Sequence, residues 1–362
     1  MIFAYNRKQF IKNALDSVIA SYGNFDNIEI IISTCISRDE LELGPVPPTV
    51  RYITFSPKTL YGEQLLETVK MSNGEILLFL EDDDVFNYSK IKKILDLFQT
   101  SNEVIAVKNA AAQVKSEAYI DQKVFVKEPE VFHHITKSRD YNTDLLTPRD
   151  IYDMISNRIF YNPSTISVKR SVILENENLI RNNEPIDILL SAAILNSHGL
   201  IKYIDKNLTA YRLHSSNDSY FGQERDADKL RERILRTSNK YIEGLRGAYD
   251  IVSLMPRASL LIQFINSQEI FRSLILSRNR SRDILIKALI NDFRREYFLG
   301  KQMIMRHRVI GSSFLMDFLI PYIKMIRFQK LSVPISLLYV LNRNLAYKIY
   351  INLTLWKVSN SH

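Results

Sequence analysis

The stretch at residues 73–86, Asn-Gly-Glu-Ile-Leu-Leu-Phe-Leu-Glu-Asp-Asp-Asp-Val-Phe, restricts what this chain can fold into more than any other. Residues 76–80 are continuously apolar and follow closely on the turn pair Asn73-Gly74. A short run of this kind is the pattern of a strand buried on both faces of a parallel sheet. The run stops at four consecutive carboxylates, Glu81, Asp82, Asp83 and Asp84. Adjacent like charges repel, and at the end of a buried strand they are costly unless a cation sits among them. Open α/β sheets bind their ligands at the carboxyl ends of the strands, which is where these residues stand. The pattern therefore predicts a divalent cation site. Hard carboxylate oxygens suit Mg2+ or Mn2+, with a substrate diphosphate completing the shell. The alternative is an acidic, solvated turn, the usual fate of a charge run.

A chain of 362 residues has room for one α/β domain of roughly 200 to 250 residues and an appendage. Its 46% hydrophobic and 24% charged residues are ordinary for a globular protein. The single cysteine, Cys35, excludes an intramolecular disulfide and a Cys-based zinc site, and suits a reducing compartment. Met1 is followed by Tyr5-Asn6-Arg7-Lys8 rather than by a long apolar segment, so no signal peptide is predicted. No uninterrupted apolar run reaches the roughly 18 residues of a membrane span. The expected location is cytoplasmic, or peripheral on the inner face of the cell membrane. The net charge of +8 is unevenly placed: nine of the 48 basic residues but only one of the 40 acidic ones, Asp317, lie beyond residue 300. The remaining 300 residues are balanced at 39 of each sign, so the excess belongs to the tail.

Residues 2–4 read as a very short first strand, and Phe10, Ile11, Ala14, Leu15, Val18 and Ile19 then line one face of a helix. Residues 29–33 and 50–55 read as further strands, the second after a Pro-rich connection at 44–48, and residues 62–71 as a helix. Beyond the acidic run, a helix is predicted over 90–99 and a strand over 104–107. Residues 110–148 are mixed and polar and read as an excursion beside the site. A loop at 162–165 enters a strand and a helix; 187–196 reads as a helix, 200–204 as a strand, and Tyr211-Arg212-Leu213-His214 as a strand end with functional residue types. Alternation of this kind argues for βαβ units and a mostly parallel sheet. From Asp226 the pattern is helical, over 229–245, 257–277 and 283–299.

In this order the features resemble the family 2 glycosyltransferases of GT-A fold, over roughly residues 1–220. Ala4-Tyr5-Asn6-Arg7 with Ala14-Leu15-Asp16-Ser17-Val18 resembles the family's opening strand and helix. Residues 29–33 resemble its second strand, and residues 73–84 its strand ending in the Asp-X-Asp metal motif. Pro185-Ile186-Asp187 resembles its Glu-Asp catalytic motif, and Tyr211-Arg212-Leu213-His214-Ser215 with Asn217 and Ser219 its closing motif. Three positions depart from the family pattern. Thr34 and Cys35 stand where an acidic pair contacts the base, Ile186 stands where the motif has Glu, and the Arg of the next helix falls near Ala193.

The resemblance implies an α/β, Rossmann-like GT-A domain at residues 1–225, its mostly parallel sheet flanked by helices, and a helical, basic C-terminal extension at 226–362. It implies a metal-dependent, inverting hexosyltransferase that moves a sugar from a nucleotide-diphosphate donor, a UDP-sugar first, to a hydroxyl acceptor on a glycan or a lipid-linked carrier. In the family's register Asp83 holds the metal directly, while Glu81 or Asp82 reaches the ribose or a metal-bound water; Asp82 with Asp84 is the competing register. A metal of this kind neutralises the departing diphosphate as a Lewis acid. Ala4, Tyr5, Arg7 and Thr34 are the expected nucleotide contacts, with core and turn packing as the alternative for Tyr5 and Arg7. Arg212 is expected at the phosphates and His214 in the metal shell or at the diphosphate, with surface placement as the alternative for both. Asp187 is the expected base for the acceptor hydroxyl, and Glu184 the alternative. A carboxylate at the start of an apolar helix also serves as a cap, which is the structural alternative for Asp187.

His133-His134 has no partner at ligand spacing and reads as part of a loop. Residues 314–322, 331–341 and 346–356 combine apolar runs with Lys, Arg, Tyr and Trp356. Such segments can lie on a membrane surface or pack as a helical subdomain, against this domain or a second copy. They are too apolar for a nucleic-acid arm. Two other functions fit parts of the pattern. A catalytically silent GT-A-like binding or scaffold protein is suggested by Thr34, Cys35 and Ile186. A nucleotidyltransferase would need a glycine-rich phosphate loop near the first strand, which is missing.

Overall fold

The computed structural model describes residues 1–4, 7–22, 27–122, 138–156, 159–181, 183–217 and 226–245, with isolated positions from 247 to 265. The expectations for Tyr5, His133, His134, Ser219, residues 283–299 and the three apolar runs beyond 314 fall outside these residues. The chain divides into two compact units. One holds residues 1–146 and 157–214, the other residues 147–156 and 215–362.

The first unit opens with β1 (Ile2–Ala4), α1 (Ile11–Tyr22), β2 (Ile30–Thr34), β3 (Val50–Thr54), α2 (Tyr61–Met71), β4 (Ile76–Leu78) and β5 (Leu80–Glu81). β1 pairs in parallel with β2 on one side and with β5 on the other, and β2 with β3, in the order β3-β2-β1-β5. The chain thus leaves β1 in one direction and returns on its other side. That reversal creates a crevice at the carboxyl ends of β1 and β5, the place where open α/β sheets take ligands. The helical spacing of Ile11, Ala14, Leu15 and Val18 explains α1. These side chains are buried in one cluster with Ile2, Ala4, Ile30 and Ile32 of the sheet.

The segment at 76–81 differs from the single parallel strand read in the sequence. Its first half, β4, pairs antiparallel with β9 (Ile166–Lys169), and its second half, β5, pairs in parallel with β1. An extended chain has two hydrogen-bonding edges, and this one uses one edge in each half, with buried Phe79 between them. It therefore couples two sheets. Ile76 and Leu78 are only half-buried because β4 ends its sheet.

The second sheet contains β6 (Val85–Phe86), β7 (Val104–Lys115), β8 (Arg139–Asn142), β9 and β10 (Leu200–Leu213), with α3 (Lys90–Gln99) before β7. β7 and β10 run in parallel, whereas β6, β8 and β9 join antiparallel. Both long strands outrun the apolar runs that announce them. The polar Asp205-Lys206-Asn207 interrupts β10, and the register shifts on both sides of Asn207. Irregularities of this kind bend a strand while its pairing continues. Past the bend, Thr209 and Ala210 face Phe86 and Val85 across the ladder, which carries Arg212 and His214 back to the acidic run.

Between these strands lie α5 (Arg170–Glu175), α6 (Glu177–Ile180) and α7 (Ile186–Asn196). Ile186 through Leu195 of α7 are all buried, which explains the absence of a polar stripe in its sequence. Full burial of each large aliphatic side chain there contributes about 1.5 to 3 kcal/mol. In the second unit, α4 (Pro148–Ser156) precedes α8 (Ala227–Gly244) in the chain. Asp226 caps α8, its carboxylate accepting from the N–H groups of Asp228 and Lys229 at 2.9 and 3.0 Å. Residues 257–262 are also helical.

Candidate active site

The acidic run turns sharply after β5, with the Asp84 N–H on the Glu81 carbonyl at 3.3 Å. Asp82, Asp83 and Asp84 are buried and Glu81 is half-buried. Arg7, just past β1, meets them across the crevice, donating to Asp82 Oδ1 at 2.7 Å and Asp83 Oδ2 at 2.8 Å. Burial opposes the charge on Arg7, but Asp83, Asp82 and Glu81 more than offset this and raise its pKa. Asp83 also faces fully buried His214, whose Nε2 lies 3.0 Å from the same Oδ2. Burial alone would push the Asp83 carboxyl up; the bonds to His214 and Arg7 hold it below the usual carboxylate range.

The other three acids are pushed the opposite way. Burial and the neighbouring Asp83 charge raise Asp82 to about 8, despite Arg7. Asp84 rises to about 7 for the same two reasons, although Ser164, the Arg212 N–H and Asn162 bond it. Burial, Asp83 and Asp84 raise Glu81 well above its ordinary value. The cluster is short of positive charge. One buried oxygen of Asp82, Oδ2, has no hydrogen-bond partner among the described residues. Carboxylate oxygens of Glu81, Asp83 and Asp84 lie within 4.8 Å of one another. Two oxygens on a common Mg2+ or Mn2+ are at most about 4 to 5 Å apart, so this hard-oxygen donor set fits such a cation.

Arg212, the residue expected at a substrate phosphate, lies near the end of β10. Its guanidinium is wholly buried over the Phe10 ring, 4.3 Å from the centroid. It donates to the Asp83 carbonyl at 2.7 Å, to Asn13 Oδ1 at 2.6 Å and to the Ala118 carbonyl. Its backbone N–H donates to Asp84 Oδ1 at 3.0 Å. Burial lowers its pKa against the pull of Asp83 and Asp84. Phe10 also packs edge-on to the His214 ring, with centroids 4.7 Å apart.

Asp187 lies in the first turn of α7, buried, with Oδ1 accepting its neighbour Ile188 N–H at 2.9 Å. Burial raises its carboxyl to about 6 in spite of that bond and of the Lys108 charge. Asp187 and Glu81 repel each other electrostatically, which ties the start of α7 to the acidic run. Glu184 is placed differently: its carboxylate accepts the Tyr61 N–H at 3.0 Å, at the start of α2. At the end of β2, Ala4 and Thr34 are buried neighbours in the ladder. The Thr34 hydroxyl accepts the Ile36 N–H at 2.9 Å, and the Cys35 thiol, raised in pKa by burial, donates to the Ser56 carbonyl at 3.5 Å.

Several residues of the site carry no motif signal. Asn162 donates to Asp84 Oδ2 at 3.2 Å, and the Ser164 hydroxyl accepts the Glu81 N–H at 2.9 Å. Asn13 anchors Arg212, and Lys108 and Lys90 hold the turn at 161–165 from inside the protein. A polar loop directly before an apolar strand is the trace that Asn162 and Ser164 leave in the sequence; Asn13, Lys90 and Lys108 leave none.

The motif-bearing part of the chain matches a known family. Residues 1–161 match the family model of glycosyl transferase family 2. An uncharacterized glycosyltransferase of Nostoc sp. is 26% identical over 231 residues, which are 60% of this chain and 65% of that protein. The chain thus spans a little under two thirds of that relative's length. Among solved structures, S. aureus TarS 1-349 in complex with UDP-GlcNAc has a TM-score of 0.45 at 13% identity, covering 86% of this chain and 92% of that one. The same TarS segment in complex with UDP has a TM-score of 0.40 at 14% identity, with the same coverage. Among the described residues, no helix is long and apolar enough to cross a membrane.

Proposed function

We propose that the protein is a metal-dependent, inverting glycosyltransferase that moves a sugar from a nucleotide-diphosphate donor, a UDP-sugar first, to a hydroxyl of a glycan or lipid-linked acceptor. The observation that carries the reading is the buried, under-compensated cluster Glu81–Asp84 at the crevice between β1 and β5, inside the segment that matches the family. When bound there, Mg2+ or Mn2+ supplies Lewis-acid neutralisation of a diphosphate. Asp83 is the principal ligand in this reading, with Glu81 and Asp84 beside it and Asp82 free to reach the ribose or a bound water.

The remaining residues have distinct tasks. His214 and Arg7 keep Asp83 ionised and aimed. Arg7, together with Ala4, Tyr5 and Thr34, borders the nucleotide. Arg212 acts by fixing the backbone of the acidic turn rather than by touching phosphate. Asp187 takes the proton of the attacking hydroxyl, and a single displacement with one such base inverts the anomeric carbon. Its carboxyl titrates near 6, so it is ionised at neutral pH while remaining basic enough to accept a proton. Glu184 is the weaker choice of base because it caps α2. The catalytic region extends over residues 1–225 in this reading, and the basic region at 226–362 contacts a membrane surface or a second copy. Nucleic acid is not a partner, and the location is cytoplasmic or peripheral.

A silent binding protein is the second reading. It is favoured by the end of β2, where the Thr34 hydroxyl and the Cys35 thiol are engaged by the backbone. Calorimetry of UDP with and without Mn2+, followed by a panel of nucleotide sugars, separates the two. The transferase reading expects metal-dependent UDP binding and hydrolysis or transfer from at least one donor. Binding without turnover of any donor favours the silent protein, and no metal-dependent binding sinks the site itself.

A further inference from the structure

Lys108, on β7, has its side chain buried and directed at one turn of the chain. Its ammonium donates to the carbonyls of Tyr161 and Asn162, the second at 3.3 Å, and to the hydroxyl of Thr165. An ammonium has three donors, and all three are taken by residues of this turn. Asn162 in that turn has φ 65° and ψ 101°. A residue with a side chain persists in this region only where its surroundings hold it. The surroundings link two parts of the site. The Asn162 amide donates to Asp84 Oδ2 at 3.2 Å, and the dipole of its backbone N–H helps to lower the Asp187 carboxyl. Its side-chain oxygen accepts the Ser164 N–H at 2.8 Å, and Ser164 in turn holds the Glu81 N–H.

We propose that Lys108 is a positioning residue of the transfer site: it holds the Asn162 turn between Asp84 and Asp187 and supplies the buried positive charge that Asp187 faces. The proposal rests on the reading of Asp187 as the base. A neutral side chain of similar length could pack in the same space, but it could bond none of the three acceptors and would remove the cation that Asp187 faces among the described residues. The charged groups around the pair are few. Lys108 faces Asp187 of α7, Asp84 after β5 and Lys90 of α3; Asp187 faces Lys108 and Glu81. Lys90 bonds Thr209 and the Ser164 carbonyl and sits over the Phe86 ring, so it braces the same turn from the other side. Burial holds Lys108 down to about 7, and the carboxylates of Asp187 and Asp84 keep it from falling further. Its positive charge in turn lowers the Asp187 pKa, so its removal must raise it.

The test titrates Asp187 directly in the full-length, metal-free protein carrying 13C at the aspartate carboxyl carbons. The resonance is assigned by its loss in Asp187→Asn. The wild type should show a midpoint near 6. Lys108→Met should move it upward by about one unit, a tenfold change in acidity, and Lys108→Arg should leave it near the wild-type value. An unmoved midpoint in Lys108→Met overturns the proposal. Should that variant fail to fold, the reciprocal measurement replaces it. The Lys108 ammonium, followed by 15N at lysine Nζ, should titrate at lower pH in Asp187→Asn than in the wild type, and an unchanged titration again overturns the proposal. None of these titrations needs nucleotide or sugar. Normal UDP and Mn2+ binding with an unmoved midpoint therefore removes only the role of Lys108, whereas absent binding removes the transferase reading on which that role depends.

Discussion

Two charge clusters in the first unit contrast what exposure does to the same chemistry. Glu67 and Lys70 of α2 meet Glu177 and Arg181 of the α6 region, with two charges of each sign. Lys70 lies 2.7 Å from Glu177 and 3.4 Å from Glu67, and Arg181 lies 3.3 Å from Glu67 and also bonds Glu177. Each side chain is about a third exposed, and every resolved shift favours the charged form: the bonds to Lys70 and Arg181 lower Glu177, and the bonds to Glu177 raise Lys70 and Arg181. The cluster after β5 has four acids against Arg7, buried Arg212 and His214, and three of the acids are pushed toward their neutral forms. A balanced, wet cluster satisfies itself. In a buried and unbalanced one the carboxylates are perturbed, and oxygens of Glu81, Asp83 and Asp84 lie close enough to share a cation.

The largest effect that could break this contrast lies at Asp187. Asp187→Asn should reduce kcat roughly 10^2- to 10^4-fold while leaving UDP and Mn2+ affinity as in the wild type. The wild-type enzyme should lose kcat/KM below about pH 6, because the base is then protonated, and the slope should approach tenfold per pH unit. A pH-rate profile without that limb, or an active Asn variant, would move the base elsewhere. Next comes Asp83→Ala. Replacing this carboxylate should weaken metal-dependent UDP binding by at least about a hundredfold in calorimetry, beyond what changes around a metal's ligands produce. Retained affinity would leave the acidic run as a structural turn.

Both proposals start from features that are legible in the sequence to different depths. The apolar run into four acids announced a buried carboxylate cluster at a strand end, because strand burial and charge crowding act between neighbours in the chain. The helix starting near Asp187 was equally visible, since its apolar residues are continuous. The length of β10 was hidden because Asp205-Lys206-Asn207 reads as a stop, whereas the register shift at Asn207 lets pairing continue. The crossing of 76–81 between two sheets was hidden as well, because an apolar run does not tell which edge bonds to which partner. Lys90 and Lys108 were the least legible. Buried lysines are rare, and the carbonyls and hydroxyls brought to them by the 161–165 turn and by Thr209 make these positions tolerable.

Arg212 provides a third, smaller test, aimed at stability rather than binding. It is a buried cation with acceptors on Asp83, Asn13 and Ala118. Arg212→Met removes those donors and one positive charge from an already acid-rich region. The loss should be about 3 to 5 kcal/mol, which corresponds to roughly a 10 °C fall in Tm for a domain of this size. Addition of Mn2+ should recover part of that loss if the variant still binds it, since a ligand of the folded state stabilises it by mass action. A Tm unchanged by Arg212→Met would mean that the guanidinium is no clamp, and its role at a substrate phosphate would return.

The smallest expected effect comes from the exposed cluster and completes the comparison. Arg181→Ala leaves Glu67 and Glu177 with Lys70 as their remaining cation in this group, the same arithmetic imbalance that marks the buried run. Water can solvate both carboxylates there, and salt screens what repulsion remains. The variant should therefore match the wild type in Tm and in UDP and Mn2+ affinity. Thermal scans at low and high ionic strength measure this directly. A large loss of stability in Arg181→Ala would show that imbalance alone perturbs carboxylates on this protein. The case for a cation among residues 81–84 would then have to stand on oxygen geometry without the help of burial.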